Sequence, residues 1–176
     1  MEILVHMCCG PCASVFTDGM AAEGHSLHLL WHNPNIHPFK EYESRKKAAM
    51  DFAAQKGLYL SSANAKYGLR DFLSRVTGDM ENRCRICYYM RLEYTAEQAA
   101  NLCIKAFTTT LLASPYQNFD MICELGKQIA KKIGPKFIVR DFRAFYRPGL
   151  AKARDMGLFM QKYCGCIFSE EERYQP

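Results

Sequence analysis

Short apolar runs alternate along this chain with longer stretches of helical periodicity. Residues 2–6 (EILVH), 27–31 (LHLLW), 58–60 (LYL), 105–110 (KAFTTT) and 136–139 (KFIV) are apolar or β-branched and short. Runs of that length without strict alternation predict strands buried on both faces. Between them, residues 13–22, 41–56, about 84–102 and 119–133 place apolar residues at helical spacing, and a further helix is predicted from about 149 to 156. Gly24, Gly57 and Gly134-Pro135 supply helix stops. Residues 61–83 stay undecided: Asp71-Phe72-Leu73 suits a helix, but Gly68 and Gly78 interrupt it. The tail beyond Cys166 reads as charged and polar. Strand, loop and helix recur about five times, which predicts an α/β fold: a parallel sheet with helices on both faces.

Composition narrows this picture. A chain of 176 residues with 49% hydrophobic content can build a real core, and residues 1–176 are expected to form a single domain. No linker, low-complexity tract or internal repeat interrupts it. No run of about 18 apolar residues occurs, and Met1-Glu2 is not a basic signal region, so a cytoplasmic protein without a membrane partner is expected. The net charge of +5 is compatible with nucleic acid without arguing for it.

Nine cysteines are more than such a core needs as staples. In a reducing compartment, clustered thiols bind metal or do redox work. Cys8-Cys9-Gly10-Pro11-Cys12 follows the first strand directly, where open α/β sheets bind ligands. The Asn33-to-Pro38 loop, the Ser114-Pro115-Tyr116-Gln117 loop and the Asp141-Phe142-Arg143 loop also follow strands and should face the same site. Cys84 and Cys87, three apart at a helix start, share one face. Cys164-Gly165-Cys166 brings two more thiols around a turn that glycine permits. A zinc ion takes four ligands, and an iron–sulfur cluster takes up to four. Seven candidates (Cys8, Cys9, Cys12, Cys84, Cys87, Cys164 and Cys166) suit a cluster plus a second metal better than either alone.

Two other readings compete. Cys9-Gly10-Pro11-Cys12 alone looks like a thioredoxin-type dithiol at a helix N-terminus, which makes a thiol–disulfide oxidoreductase. Four thiols on one zinc would instead make a zinc-stapled RNA-binding module. Cys103 and Cys123 read as buried small residues and His6 as a core histidine. His32 and His37 bracket the proline loop. Arg45-Lys46-Lys47 reads as a solvated helix face. Arg83, Arg85 and Arg91, with Arg140, Arg143 and Arg147, would either hold phosphates or compensate thiolates.

Six motifs occur in a fixed order: His6-Met7-Cys8-Cys9-Gly10-Pro11-Cys12, Asn33-Pro34-Asn35-Ile36-His37-Pro38, Arg83-Cys84-x-x-Cys87, Thr108-Thr109-Thr110-Leu111-Leu112-Ala113-Ser114-Pro115, Asp141-Phe142-Arg143 and Gln161-Lys162-Tyr163-Cys164-Gly165-Cys166. Together they resemble the epoxyqueuosine reductase family of the QueH type, over nearly the whole chain. The resemblance implies a fold like the PP-loop, adenine-nucleotide α-hydrolase group. The Ser-Gly-Gly-x-Asp-Ser phosphate loop of that group is missing, and the cysteine stretch stands in its place. It further implies two-electron deoxygenation of epoxyqueuosine to queuosine at the tRNA wobble position. The implied cofactors are a [4Fe–4S] cluster, held by cysteines from among Cys8, Cys9, Cys84, Cys87, Cys164 and Cys166, and a second, mononuclear iron beside it. Cys12 departs from the pattern, since some members carry Asp there, and a thiolate is the softer ligand. Asp141 and Tyr116 are the candidate proton donors, and a ferredoxin or flavodoxin is the expected electron donor.

Overall fold

The computed structural model describes residues 1–62 and 66–175. Five parallel strands form one sheet: β1 (Glu2–His6), β2 (Ser26–Leu30), β3 (Leu60–Ser61), β4 (Ala106–Thr109) and β5 (Lys136–Phe137), in the order β3-β2-β1-β4-β5. β1 is central, and Ile3, Leu4, Val5 and His6 are 0–1% exposed. That is why its sequence runs apolar rather than alternating.

Helices α1 (Gly10–Ala22), α2 (Phe39–Lys56), α3 (Leu69–Val76), α4 (Arg83–Asn101), α5 (Phe119–Ile133), α6 (Tyr146–Asp155) and α7 (Ile167–Tyr174) connect and flank the strands. α1 packs on α2 and α6, while α4 packs on α3 and α5. The chain leaves β1 toward β2 and later enters β4 on the other side. Right-handed crossovers then put the two helix groups on opposite faces. The crevice between the C-terminal ends of β1 and β4 is the switch point where such sheets bind ligands.

The structure adjusts several of the expected bounds. The strand expected at 58–60 is Leu60–Ser61, and the one at 136–139 keeps only Lys136–Phe137. α1 and α6 begin three residues earlier than expected, because Pro11 and Pro148 sit in the first helical turn, where no amide is needed. The undecided stretch 61–83 contains α3; its residues 63–65 lie outside the described residues.

Candidate metal centre

One buried histidine ties the switch point together. Thr109 accepts from the amide of Leu111 at 3.2 Å and donates to His6 Nδ1 at 2.9 Å. His6 Nε2 then donates to the carbonyl of His32 and to Asn33 Oδ1, at 3.1 and 3.2 Å. Asn33 Nδ2 donates to the carbonyl of Met7 at 2.9 Å. Burial holds His6 down to about 3, so the ring is neutral and one tautomer satisfies every bond. The network fixes the ends of β1 and β4 and the Asn-Pro loop around one spot.

Cys8, Cys9 and Cys12 stand at that spot. All three are buried, and their sulfurs lie within 4.8 Å of one another. Cys8 Sγ is 3.6 Å from Cys9 Sγ and 3.2 Å from Thr110 Oγ1. Gln161 Nε2 donates to Cys9 Sγ at 2.8 Å. Hydrogen bonds from Cys12 and Cys9 pull the Cys8 thiol well below its ordinary range. Cys12 is pushed well up by its bonds to Cys8 and Cys9, with burial adding. A tetrahedral ion with metal–sulfur bonds of about 2.3 Å separates its sulfurs by roughly 3.8 Å. The trio matches that spacing, so this group can bind a metal.

Cys84, Cys87, Cys164 and Cys166 come from α4 and from the turn before α7. Cys87 and Cys166 share a small apolar cluster with Phe72 and Val76 of α3 and with Met90. Burial, then the charges of Cys164, Cys166 and Cys84, push Cys87 up to about 12. Cys84 is raised by burial and by Cys164 and Cys166. Gln117 Nε2 donates to Cys164 Sγ at 3.5 Å, and Tyr88 holds Gln117 through its Oε1 at 2.9 Å.

Arg45 positions the turn. It is 3% exposed rather than solvated as its helix face suggested. Nε donates to Glu41 at 2.7 Å, and the two Nη atoms donate to the carbonyls of Cys164 and Tyr163 at 2.8 and 3.0 Å. The amide of His37 donates to the carbonyl of Gly165 at 2.7 Å. Gly165 has φ +134, and a Cβ there would come within 3.0 Å of Arg45 Nη1, so glycine is required.

A cavity of about 700 Å³ opens above the trio, and Cys8, Cys9, Cys12 and Cys164 line it. So does Tyr116, 80% exposed and edge-on to Tyr146 at 5.6 Å. Burial and the charges of Cys12 and Cys9 push the Tyr146 hydroxyl upward, which keeps it protonated. Asp141 is not among the lining residues. Its carboxylate is bonded to Arg143, which holds it below the usual range. Phe142 packs edge-on against Phe16 at 5.3 Å.

The cations are also redistributed. Arg83 pairs with Glu172, Arg85 with Glu124, Arg140 with Glu23 and Arg143 with Asp141. Arg154, Lys162 and Arg173 line the cavity, are exposed and have no ion pair among the described residues. The sequence did not single out Arg154, Arg173 or Tyr146; Gln161 and Lys162 lay inside a quoted motif without a role.

His32 stacks on Tyr94 at 3.8 Å, and burial, with Arg91 nearby, lowers it to about 4. The unfolded chain takes up this proton near 6.5, the folded chain only near 4. Stability is therefore full above about 6.5 and falls with pH down to 4, by up to about 1.4 kcal/mol per pH unit. Urea unfolding between pH 7 and 4 should show this slope reduced in a His32→Phe variant, which keeps the stack. An unchanged slope would remove His32 as a contributor.

The family model for epoxyqueuosine reductase QueH matches residues 3–172. The chain belongs to this family. A relative named epoxyqueuosine reductase QueH from Dehalococcoides mccartyi is 34% identical over 174 residues, 98% of this chain and 94% of the relative. One of the same name from Thermotoga maritima is 35% identical over 186 residues, covering 97% and 91%. Among solved structures, a predicted tRNA methyltransferase subunit from Methanocaldococcus jannaschii aligns with TM-score 0.56 and 13% identity, over 88% of this chain and 74% of that one. That likeness concerns the fold alone, and it agrees with the PP-loop-like α/β architecture expected for the QueH family. No helix among the described residues is long and apolar enough to cross a membrane.

Proposed function

We propose that this chain, acting as a single catalytic domain, is an oxidoreductase that deoxygenates epoxyqueuosine in tRNA to queuosine. One observation carries the reading: three buried thiols, Cys8, Cys9 and Cys12, stand close together at the switch point of the sheet and share a cavity with Cys164, whose charge acts on Cys87 and Cys84. The reaction takes two electrons and two protons, breaks both carbon–oxygen bonds of the epoxide, and yields an alkene and water.

In this reading Cys84, Cys87, Cys164 and Cys166 hold a [4Fe–4S] cluster, and Cys8, Cys9 and Cys12 hold a second iron. Their spacing supports the division, since only the trio is close enough for one ion among the described residues. When bound, the two groups would supply single electrons and a Lewis-acidic position. Gln161 and Gln117 donate to ligand sulfurs and orient them. Tyr116 stacks on the extruded base at the mouth of the cavity. The Tyr146 hydroxyl, facing Cys12 and Cys9, is a better-placed proton donor than Asp141, whose proton is displaced by Arg143. Arg154, Lys162 and Arg173 hold tRNA phosphates along the rim.

A dithiol exchange at Cys9 and Cys12 is disfavoured by their burial, each 3% exposed inside a three-thiol group. The decisive experiment is anaerobic iron loading, followed by incubation with epoxyqueuosine-containing tRNA and a one-electron reductant. Stoichiometric iron and sulfide, with loss of one oxygen from the nucleoside by mass spectrometry, is expected. Zinc alone after iron loading, or unchanged nucleoside, would sink the proposal.

A further inference from the structure

Two arginines are buried, Arg45 and Arg91, at 3% and 2% exposure. Arg45 has the carboxylate of Glu41. Arg91 has no carboxylate partner among the described residues. Its Nε donates to the carbonyl of Cys87, one helical turn back, at 3.1 Å. Its guanidinium lies over the Tyr88 ring at 5.5 Å, and its Nη2 has no hydrogen-bond partner. The side chain lines the cavity. A buried charge without a counter-charge costs several kcal/mol. Burial works against its charge, and the groups whose charge supports it are, largest first, the sulfurs of Cys87, Cys164 and Cys8 and then the Tyr88 hydroxyl. Two of these sulfurs belong to the group of four and one to the trio.

We propose that Arg91 is the shared counter-charge of the two cysteine groups, a positioning residue that raises the reduction potential of the iron–sulfur group from its buried place beside Cys87, on the wall of the cavity that the trio and Cys164 also line. The inference rests on the ligand division proposed above. Thiolate ligands make each loaded site negative, and one-electron reduction of the cluster adds one more negative charge. A fixed positive charge in a water-poor site favours that reduced form. The unpartnered Nη2 is then a donor held ready for charge that the loaded state supplies.

The test is a potentiometric titration of the anaerobically loaded protein, followed by electron paramagnetic resonance. Wild type is compared with Arg91→Met, Arg91→Lys and the ion-paired surface control Arg140→Met. Arg91→Met should shift the potential negatively by the equivalent of at least a tenfold loss in the reduction equilibrium, about 59 mV for one electron. Arg91→Lys should recover at least half of the shift, and Arg140→Met should leave the potential unchanged. If Arg91→Met fails to take up iron while Arg91→Lys loads fully, positive charge is required even for assembly, which supports the proposal. An Arg91→Met protein with full iron and an unchanged potential overturns it and leaves the functional reading standing. Failure of Arg91→Lys to load overturns it in favour of a purely steric role. A wild type that takes up no iron–sulfur cluster overturns the functional reading and this inference together.

Discussion

Cys87→Ala protein takes up no four-iron cluster and loses reductase activity by more than about 100-fold, beyond the range set by residues that only support a ligand. Cys8→Ala protein keeps the broad visible absorbance of the cluster and falls short by one iron per chain. The difference follows from where the two sulfurs stand. Cys8 is one corner of a trio whose sulfurs fit around a single ion. Cys87 is buried with Cys166 under Phe72 and Val76, and as a free thiol it holds its proton up to about pH 12. Only a strongly binding metal takes that proton away. Cys103→Ala, at an exposed cysteine in neither group, is the control. The measurement is iron and sulfide per chain with the visible spectrum. Wild-type iron and sulfide in Cys87→Ala would show that the ligand division is wrong.

The second large effect concerns Arg45. In metal-free protein, Arg45→Met should cost about 3–5 kcal/mol in urea unfolding, the range for breaking a buried charge network from one side. The substitution keeps much of the side-chain length but leaves Glu41, with 15% of its side chain exposed, and the carbonyls of Tyr163 and Cys164 without their donor. Hydrogen exchange should quicken at residues 163–166 before it does in β1. Arg45→Lys should recover only part, since an ammonium cannot span three acceptors as the guanidinium fork does. A loss below 1 kcal/mol with unchanged exchange would mean that the turn is held by other contacts.

Much of this arrangement was legible along the chain, and the exceptions share physical causes. Phe119–Ile133 appears with its expected bounds because both ends carry local signals: Asn118 caps the first turn through Met121, and Gly134 ends the last. α7 was hidden because IFSEEERY is short and charged. Its start is set by the Cys166 sulfur accepting from Ser169, a cap that no composition rule anticipates. The cysteine positions were visible, but which three stand together depends on distances that only the folded chain has. Arg45 read as a solvated helix face, and Arg91 was left open between holding phosphates and compensating thiolates, because burial is decided by remote partners: two carbonyls about 120 residues away for Arg45, and Cys164 and Cys8 from separate segments for Arg91.

The hydrogen bond from Gln161 to Cys9 joins positions 152 residues apart. Cys164 lines the same cavity as Cys8, Cys9 and Cys12, which follow the first strand. During translation, then, the trio emerges from the ribosome long before the turn that completes its surroundings. The proposed four-cysteine site cannot assemble until Cys164 and Cys166 have been made, whereas the three thiols of the trio are among the first twelve residues.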